Sequence, residues 1–213
     1  MARAKICGLR TQADVEACQR GGAAFVGFVD FAKSPRHIAV REAAPLLEQA
    51  QGMVRVLLTV NASDELLRPW QELGGIDMIQ CHGSESPQRL EELRDRSGWQ
   101  VMKACGVSTR SEVDQAVDTY AEAADYLLFD AKPPQGSDRP GGNAVSFDWS
   151  IVNHLDQSTP WMLAGGLTPQ NAAQALAISG AQILDISSGV EHERGVKDAT
   201  KIAEFLNAVA GAG

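Results

Sequence analysis

The sequence predicts an α/β fold, a single-domain (β/α)8 barrel spanning residues 1–213, and three observations carry that expectation. Short runs rich in Val, Ile, Leu and Phe alternate with helical-period stretches along the whole chain, the pattern of repeated βα units that build a parallel sheet. Eight such runs occur, leaving about 27 residues per unit, near the lower size of this barrel. No G-x-G-x-x-G follows the first run, so the competing doubly wound open sheet lacks its usual phosphate-binding turn.

Taken in order, the strands are expected at Lys5 to Gly8, Phe25 to Val29, Arg55 to Val60, Met78 to His82, Gln100 to Ala104, Tyr126 to Asp130, Trp161 to Gly165 and Ile183 to Ser187. The segments "TQADVEACQRGG", "REAAPLLEQAQG", "TRSEVDQAVDTYAEA" and "TPQNAAQALAISG" read as helices, several with Thr or Ser ahead and Gly behind as caps. One connection is longer than the rest. From Ala131 to Ser146, "AKPPQGSDRPGGNAVS" is rich in Pro and Gly and follows a strand, so it is expected to be an active-site lid rather than a surface insertion.

The composition narrows the function. With 44% hydrophobic and 22% charged residues the chain is ordinary globular protein, and no apolar run approaches a membrane helix. The first residues, MARAKICG, lack the apolar stretch of a secretory signal, so a cytoplasmic protein is expected. A net charge of -8 with scattered basic residues disfavours nucleic acid or an anionic membrane as partner. Cys7, Cys18, Cys81 and Cys105 form no CxxC pair and read as free thiols. His37, His82, His154 and His192 form no HxH or HExxH pair, so a metal-dependent reaction is not expected.

In such a barrel the active site is built at the C-terminal ends of the strands. "AGGLTPQNA" places Gly165 and Gly166 at the end of strand seven, with Thr168 as an N-cap and Pro169 at the first helical position. "DISSGVE" supplies Asp185, Ser187, Ser188 and Gly189 after strand eight, where a short extra helix is expected. Backbone N–H groups there would hold a phosphate without lysine, which suits an acidic chain. Cys7 and Asp130 supply a base and an acid at the rim, or a packed thiol and a turn residue. Arg36 in "KSPRH" would fork onto a carboxylate or stand solvated at the surface, and His82 in "QCHG" has the same status.

"KICGL", "GFVDFAKSPRHI", "QCHG", "LLFDAKPP" with "PGGNAVSFDW", "LAGGLTPQN", "DISSGVE" and "GVKD", in that order over nearly the whole chain, resemble the phosphoribosylanthranilate isomerase family. The resemblance implies an aldose–ketose isomerase of tryptophan biosynthesis. It would carry out the Amadori rearrangement of N-(5-phosphoribosyl)anthranilate to 1-(2-carboxyphenylamino)-1-deoxyribulose 5-phosphate without metal or cofactor. By position, Asp130 would be the general acid that opens the furanose, and Cys7 the general base that takes the sugar C2 proton. Arg36 would hold the anthranilate carboxylate, His82 and Asp185 would contact substrate, and Gly165, Gly166, Ser187, Ser188 and Gly189 would hold the phosphate. The implied partner is a small phosphorylated substrate, and the chain is expected to act as a monomer or weak homodimer.

That chemistry sets two electrostatic requirements. Asp130 must hold a proton near neutral pH, through burial or nearby negative charge. Cys7 must lose one, either because local donors lower its pKa or once substrate is bound. Asp30, Cys81 and Ala144 depart from the family pattern of an aromatic or apolar residue, a leucine and a glycine. Asp30 is expected to repel an anionic substrate or face solvent, and Ala144 to slow lid closure where a positive φ is needed. The rivals are a histidine-pathway aminoaldose isomerase, which would want an aspartate at position 7, and a non-catalytic phosphosugar-binding barrel.

Overall fold

The computed structural model describes residues 1–132, 147–156 and 158–212. The lid expectation at 131–146 and the Ala144 departure therefore fall almost wholly outside the described residues, which end at Lys132 on that side. Eight parallel strands close into one barrel in sequence order, β1 (Arg3–Cys7), β2 (Phe25–Asp30), β3 (Val54–Thr59), β4 (Met78–Cys81), β5 (Gln100–Val107), β6 (Tyr126–Ala131), β7 (Trp161–Leu163) and β8 (Ile183–Ile186). Closure rests on the pairing of Lys5 with Asp185 and Ile6 with Ile186 between β1 and β8.

Seven α-helices cover the barrel among the described residues, α1 (Gln12–Gly21), α2 (Val40–Gln49), α3 (Asp64–Leu73), α4 (Pro87–Ser97), α5 (Arg110–Tyr120), α6 (Ala172–Ser179) and α7 (Ala199–Gly211). The segment TQADVEACQRGG behaves as its composition dictates: Thr11 and Asp14 form a reciprocal capping box, and Gly22 closes α1 in the left-handed conformation. The sixth unit departs from the βα pattern. Between β6 and β7 the described residues hold only a 3₁₀ turn, Trp149–Val152, and none of them is α-helical. After β8, where the sequence predicts a short extra helix, comes a short 3₁₀ helix, Ser188–Val190, then an antiparallel hairpin, β9 (Glu191–Glu193) and β10 (Val196–Lys197). Among the described residues no helix is long and apolar enough to cross a membrane.

Strand boundaries shift where backbone geometry decides. β5 runs on to Val107 because Gly106 and Val107 still pair with Asp130 and Ala131 of β6. β7 stops early, because Gly165 at φ +91° leaves the extended region. Helix α6 starts later than its sequence suggested. Thr168 does not cap it; its N–H donates to Asn171 Oδ1 at 2.7 Å, Asn171 Nδ2 donates to the Gly166 carbonyl at 3.0 Å, and Asn171 is the N-cap.

Two apolar clusters follow from alternation along the strands. Ile6, Leu57, Ile79, Leu127, Leu163 and Leu184 face outward into the layer between strands and helices. Phe25, Val56, Met78, Met102, Leu128, Met162 and Ile183 fill the interior, one from every strand but β1. Residues two positions further along these strands share the inward face, and that parity delivers Lys5, Cys7, Gln80, His82, Asp130 and Asp185 to the C-terminal half of the interior.

Candidate active site

Cys7 ends β1 with its side chain over Gly27 of β2. A Cβ at Gly27 would lie 2.8 Å from the Cys7 sulfur, so only glycine leaves room for the thiol there. Beside it, Lys5 is fully buried, and its ammonium donates to Gln80 Oε1 at 2.8 Å and Asp185 Oδ1 at 2.9 Å. Burial pushes the Cys7 thiol up, outweighing the lowering by the charge and hydrogen bond of Lys5 and the charge of Lys197, while Asp185 adds to the rise. Of the two routes to a thiolate, this direction favours loss of the proton once substrate is bound.

Asp130 faces it from β6. Burial first, then the Asp185 carboxylate, raise its pKa to about 7, against the opposing Ala131 N–H bond and the Lys5 charge. This is the direction a proton donor needs. Its Oδ1 accepts the Ala131 N–H at 2.8 Å, and its Oδ2 lies 3.7 Å from His82 Nε2. Burial, with the charges of Lys103 and Lys5, drives the His82 pKa down to about 3, so the imidazole is neutral and makes no ion pair with Asp130. Gln80 fixes the tautomer. Its oxygen faces Lys5, so its amide nitrogen donates to His82 Nδ1 at 3.4 Å, leaving the proton on Nε2 toward Asp130.

Arg36 is no surface arginine. It is 6% exposed, and its Nε and Nη2 donate to Glu191 Oε1 and Oε2 at 2.6 and 3.0 Å, so its first carboxylate partner lies within the chain. Lys197 Nζ donates to Glu191 Oε1 at 3.0 Å and to the Ser187 carbonyl at 2.9 Å. Burial works to raise the Glu191 carboxyl, but the Arg36 hydrogen bonds and the Lys197 and Arg36 charges leave it below its ordinary value. The Ser187 hydroxyl, expected to face phosphate, donates instead to the Cys7 carbonyl at 2.9 Å. Asp185 likewise is committed to Lys5.

The loops after β7 and β8 do meet. Gly165 and Gly166 both have positive φ, 91° and 66°. A Cβ at Gly165 would lie 2.7 Å from the Ala131 nitrogen, and one at Gly189 would lie 2.0 Å from the Leu167 carbonyl oxygen. Glycine at 165 and 189 thus lets the two loops close on each other and on β6.

Two departures from the family pattern turn away from this interior. Asp30 is held by protein groups rather than free in solvent: it accepts the Trp70 Nε1–H at 2.7 Å and lies 3.1 Å from His37 Nε2, tying β2 to α3. Cys81 is fully buried in the outer layer, where burial pushes its pKa up to about 12.

The family model described as N-(5'phosphoribosyl)anthranilate (PRA) isomerase matches residues 4–208. The chain belongs to that family. It is 50% identical over 207 residues to the N-(5'-phosphoribosyl)anthranilate isomerase of Cereibacter sphaeroides, covering 97% of each chain. Its identity to the protein of that name from Rhodospirillum rubrum is 45% over 210 residues, covering 96% of each. The phosphoribosylanthranilate isomerase structure from Thermotoga maritima superposes with a TM-score of 0.88 at 31% identity, over 99% of this chain and 100% of that one. A further isomerase structure, with a TM-score of 0.85 at 30% identity over 99% and 100% of the two chains, is a complex with reduced 1-(o-carboxyphenylamino)-1-deoxyribulose 5-phosphate.

Sequence reasoning singled out neither Lys5, Gln80, Glu191 nor Lys197 as functional. The signal for the first two was present: each stands two residues before a rim candidate, Cys7 or His82, and so shares its face. Basic residues scattered in sequence also converge here, since Lys5 and Lys197 act on Cys7 and Lys197 shares Glu191 with Arg36.

Proposed function

We infer that this chain catalyses the Amadori rearrangement of N-(5'-phosphoribosyl)anthranilate to 1-(o-carboxyphenylamino)-1-deoxyribulose 5-phosphate. The observation that carries the reading is a thiol and a proton-bearing carboxyl set into one buried, lysine-centred interior beside two glycine loops. Asp130 gives its proton to the furanose ring oxygen, the C1–O bond breaks, and a cationic Schiff base forms at C1. That cation acidifies the C2 proton. Cys7 takes it, the C2–H electron pair forms the enolamine, and the enolamine tautomerises to the ketone.

The raised Cys7 pKa fits a base that ionises only during turnover, when the Schiff base and the Lys5 and Lys197 charges stabilise the thiolate. His82, neutral with its proton on Nε2, supports the Asp130 carboxylate once its proton has gone. The loops at Gly165, Gly166, Ser188 and Gly189 hold the phosphate, with Ser187 contributing through its backbone. Arg36 keeps an unused edge, Nη1 and the second Nη2 hydrogen, for the anthranilate carboxylate.

Loss of fluorescence from freshly prepared phosphoribosylanthranilate measures the reaction. Turnover is expected; tight binding of the reduced product analogue with no turnover would sink the isomerase reading and leave the non-catalytic barrel. Arg36→Ala is expected mainly to raise KM, and an unchanged KM would remove it from the carboxylate site.

A further inference from the structure

The hairpin after β8 presses a second layer against Arg36. A Cβ at Gly195, which turns the hairpin at φ +85°, would lie 2.6 Å from the Pro35 carbonyl, while one at Gly8 would lie 2.6 Å from Arg36 Cδ. The arginine stem is thereby held between the end of β1 and the hairpin. Its guanidinium meets Glu191, side chains 7% and 5% exposed, through the Nε edge. Glu191 is itself secured: Gly195 N–H donates to Oε2 at 3.1 Å and Lys197 Nζ to Oε1 at 3.0 Å. Lys197 in turn is bound to the Ser187 carbonyl and hydroxyl at 2.9 and 3.2 Å, on the residue that bonds the Cys7 carbonyl.

We propose that Glu191 and Lys197 are positioning residues that lock the Arg36 guanidinium with its Nη edge toward the interior, where it receives the substrate's aryl carboxylate. The inference rests on the role given to Arg36 above. The charges agree with it. Arg36, Glu191 and Lys197 together carry one net positive charge, so an arriving carboxylate is neutralised rather than repelled. The fork is also spent in the right place: with Nε bound to Glu191, a second carboxylate has one planar, two-bond approach left, which fixes the ring's orientation as well as its affinity. A flexible arginine would have to lose rotamer freedom at each binding event; a clamped one has already done so.

The test compares two ligands on the full chain by calorimetry: reduced 1-(o-carboxyphenylamino)-1-deoxyribulose 5-phosphate, and the same molecule without the ring carboxyl. The parent is expected to prefer the first. Glu191→Gln, which keeps shape but loses the charge-assisted fork, is expected to cut that preference at least about fivefold, with saturated kcat within about threefold of the parent. Adding Glu191→Gln to Arg36→Ala should change the preference no further, because the two act as one unit. An equal loss of affinity for both ligands would make Glu191 a merely structural residue and overturn the proposal. So would a stronger preference, which would mean that Glu191 competes with substrate for Arg36. If Glu191→Gln does not fold, Lys197→Gln probes the same clamp, and an unaltered preference there overturns it equally. A parent that turns substrate over but loses nothing in Glu191→Gln sinks only the clamp; a parent with neither turnover nor preference sinks the isomerase reading with it.

Discussion

The two ends of the barrel interior are built from the same strands and differ by two residues of register. At the N-terminal end Phe25, Met78, Met102, Leu128 and Ile183 pack together, Phe25 meets Tyr126 edge-on at 6.1 Å, and the one charge against this layer, the Arg3 guanidinium 5.5 Å over the Phe25 ring, belongs to an exposed residue. One inward step further, β1, β4, β6 and β8 present Lys5, Gln80, Asp130 and Asp185, all buried. The difference teaches how a closed barrel divides its labour. The apolar end provides stability enough for the other end to bury charges whose mutual balance sets protonation, a balance that exposed groups could not hold.

The comparison breaks first at its apolar end. Phe25→Ala should lower unfolding free energy by about 3–5 kcal/mol in denaturant titration while kcat of the folded fraction stays put. A proportional fall in kcat would mean that the ends are not separable. At the polar end, Cys7→Ser and Asp130→Asn should each reduce kcat at least about 100-fold, roughly 2.7 kcat-equivalent kcal/mol of barrier, with phosphate affinity retained. A nearly active Cys7→Ser would return the thiol to the packing residues.

Stability against pH sharpens the contrast. The folded pKa of Asp130, about 7, stands above its ordinary 3.8. Its contribution is therefore full below 3.8 and lost as pH rises through 7, leaving a buried carboxylate above. Asp130→Asn should accordingly be more stable than the parent at pH 8, by about 1–2 kcal/mol, and the gap should shrink toward pH 4. Equal melting curves at pH 8 would remove the buried charge from the account. The smallest effect belongs to Asp30→Ala, which unpairs the Trp70 indole: about 1 kcal/mol of stability and no change in kcat. A fall in kcat there would place Asp30 in the interior after all.

Much of this was legible in the sequence, because short apolar runs alternating with helical-period stretches, at a repeat near the minimum size of the fold, leave few other arrangements. Cys7, Asp130 and the glycine pairs stood out because strand ends in such a barrel are where chemistry is placed. The remainder depended on pairings that no local window contains. Lys5 meets Asp185 across 180 positions, and Arg36 meets Glu191 across 155. Thr168 looked like a cap by composition, yet Asn171 outcompeted it by bonding both ends of its own turn. Asp30 looked like a rim charge, but strand parity turns it outward to Trp70.

The fit of the Cys7 sulfur over Gly27 ties two distant codons together. A side chain of any kind at position 27 would displace the sulfur, and a bulkier or branched group at position 7 would need the space that the missing methyl leaves. Neither site is free to drift alone. A lineage that exchanged the thiol for another base would have to keep glycine on the neighbouring strand or alter both together, so substitutions at 7 and 27 should show strong epistasis in any pairwise library.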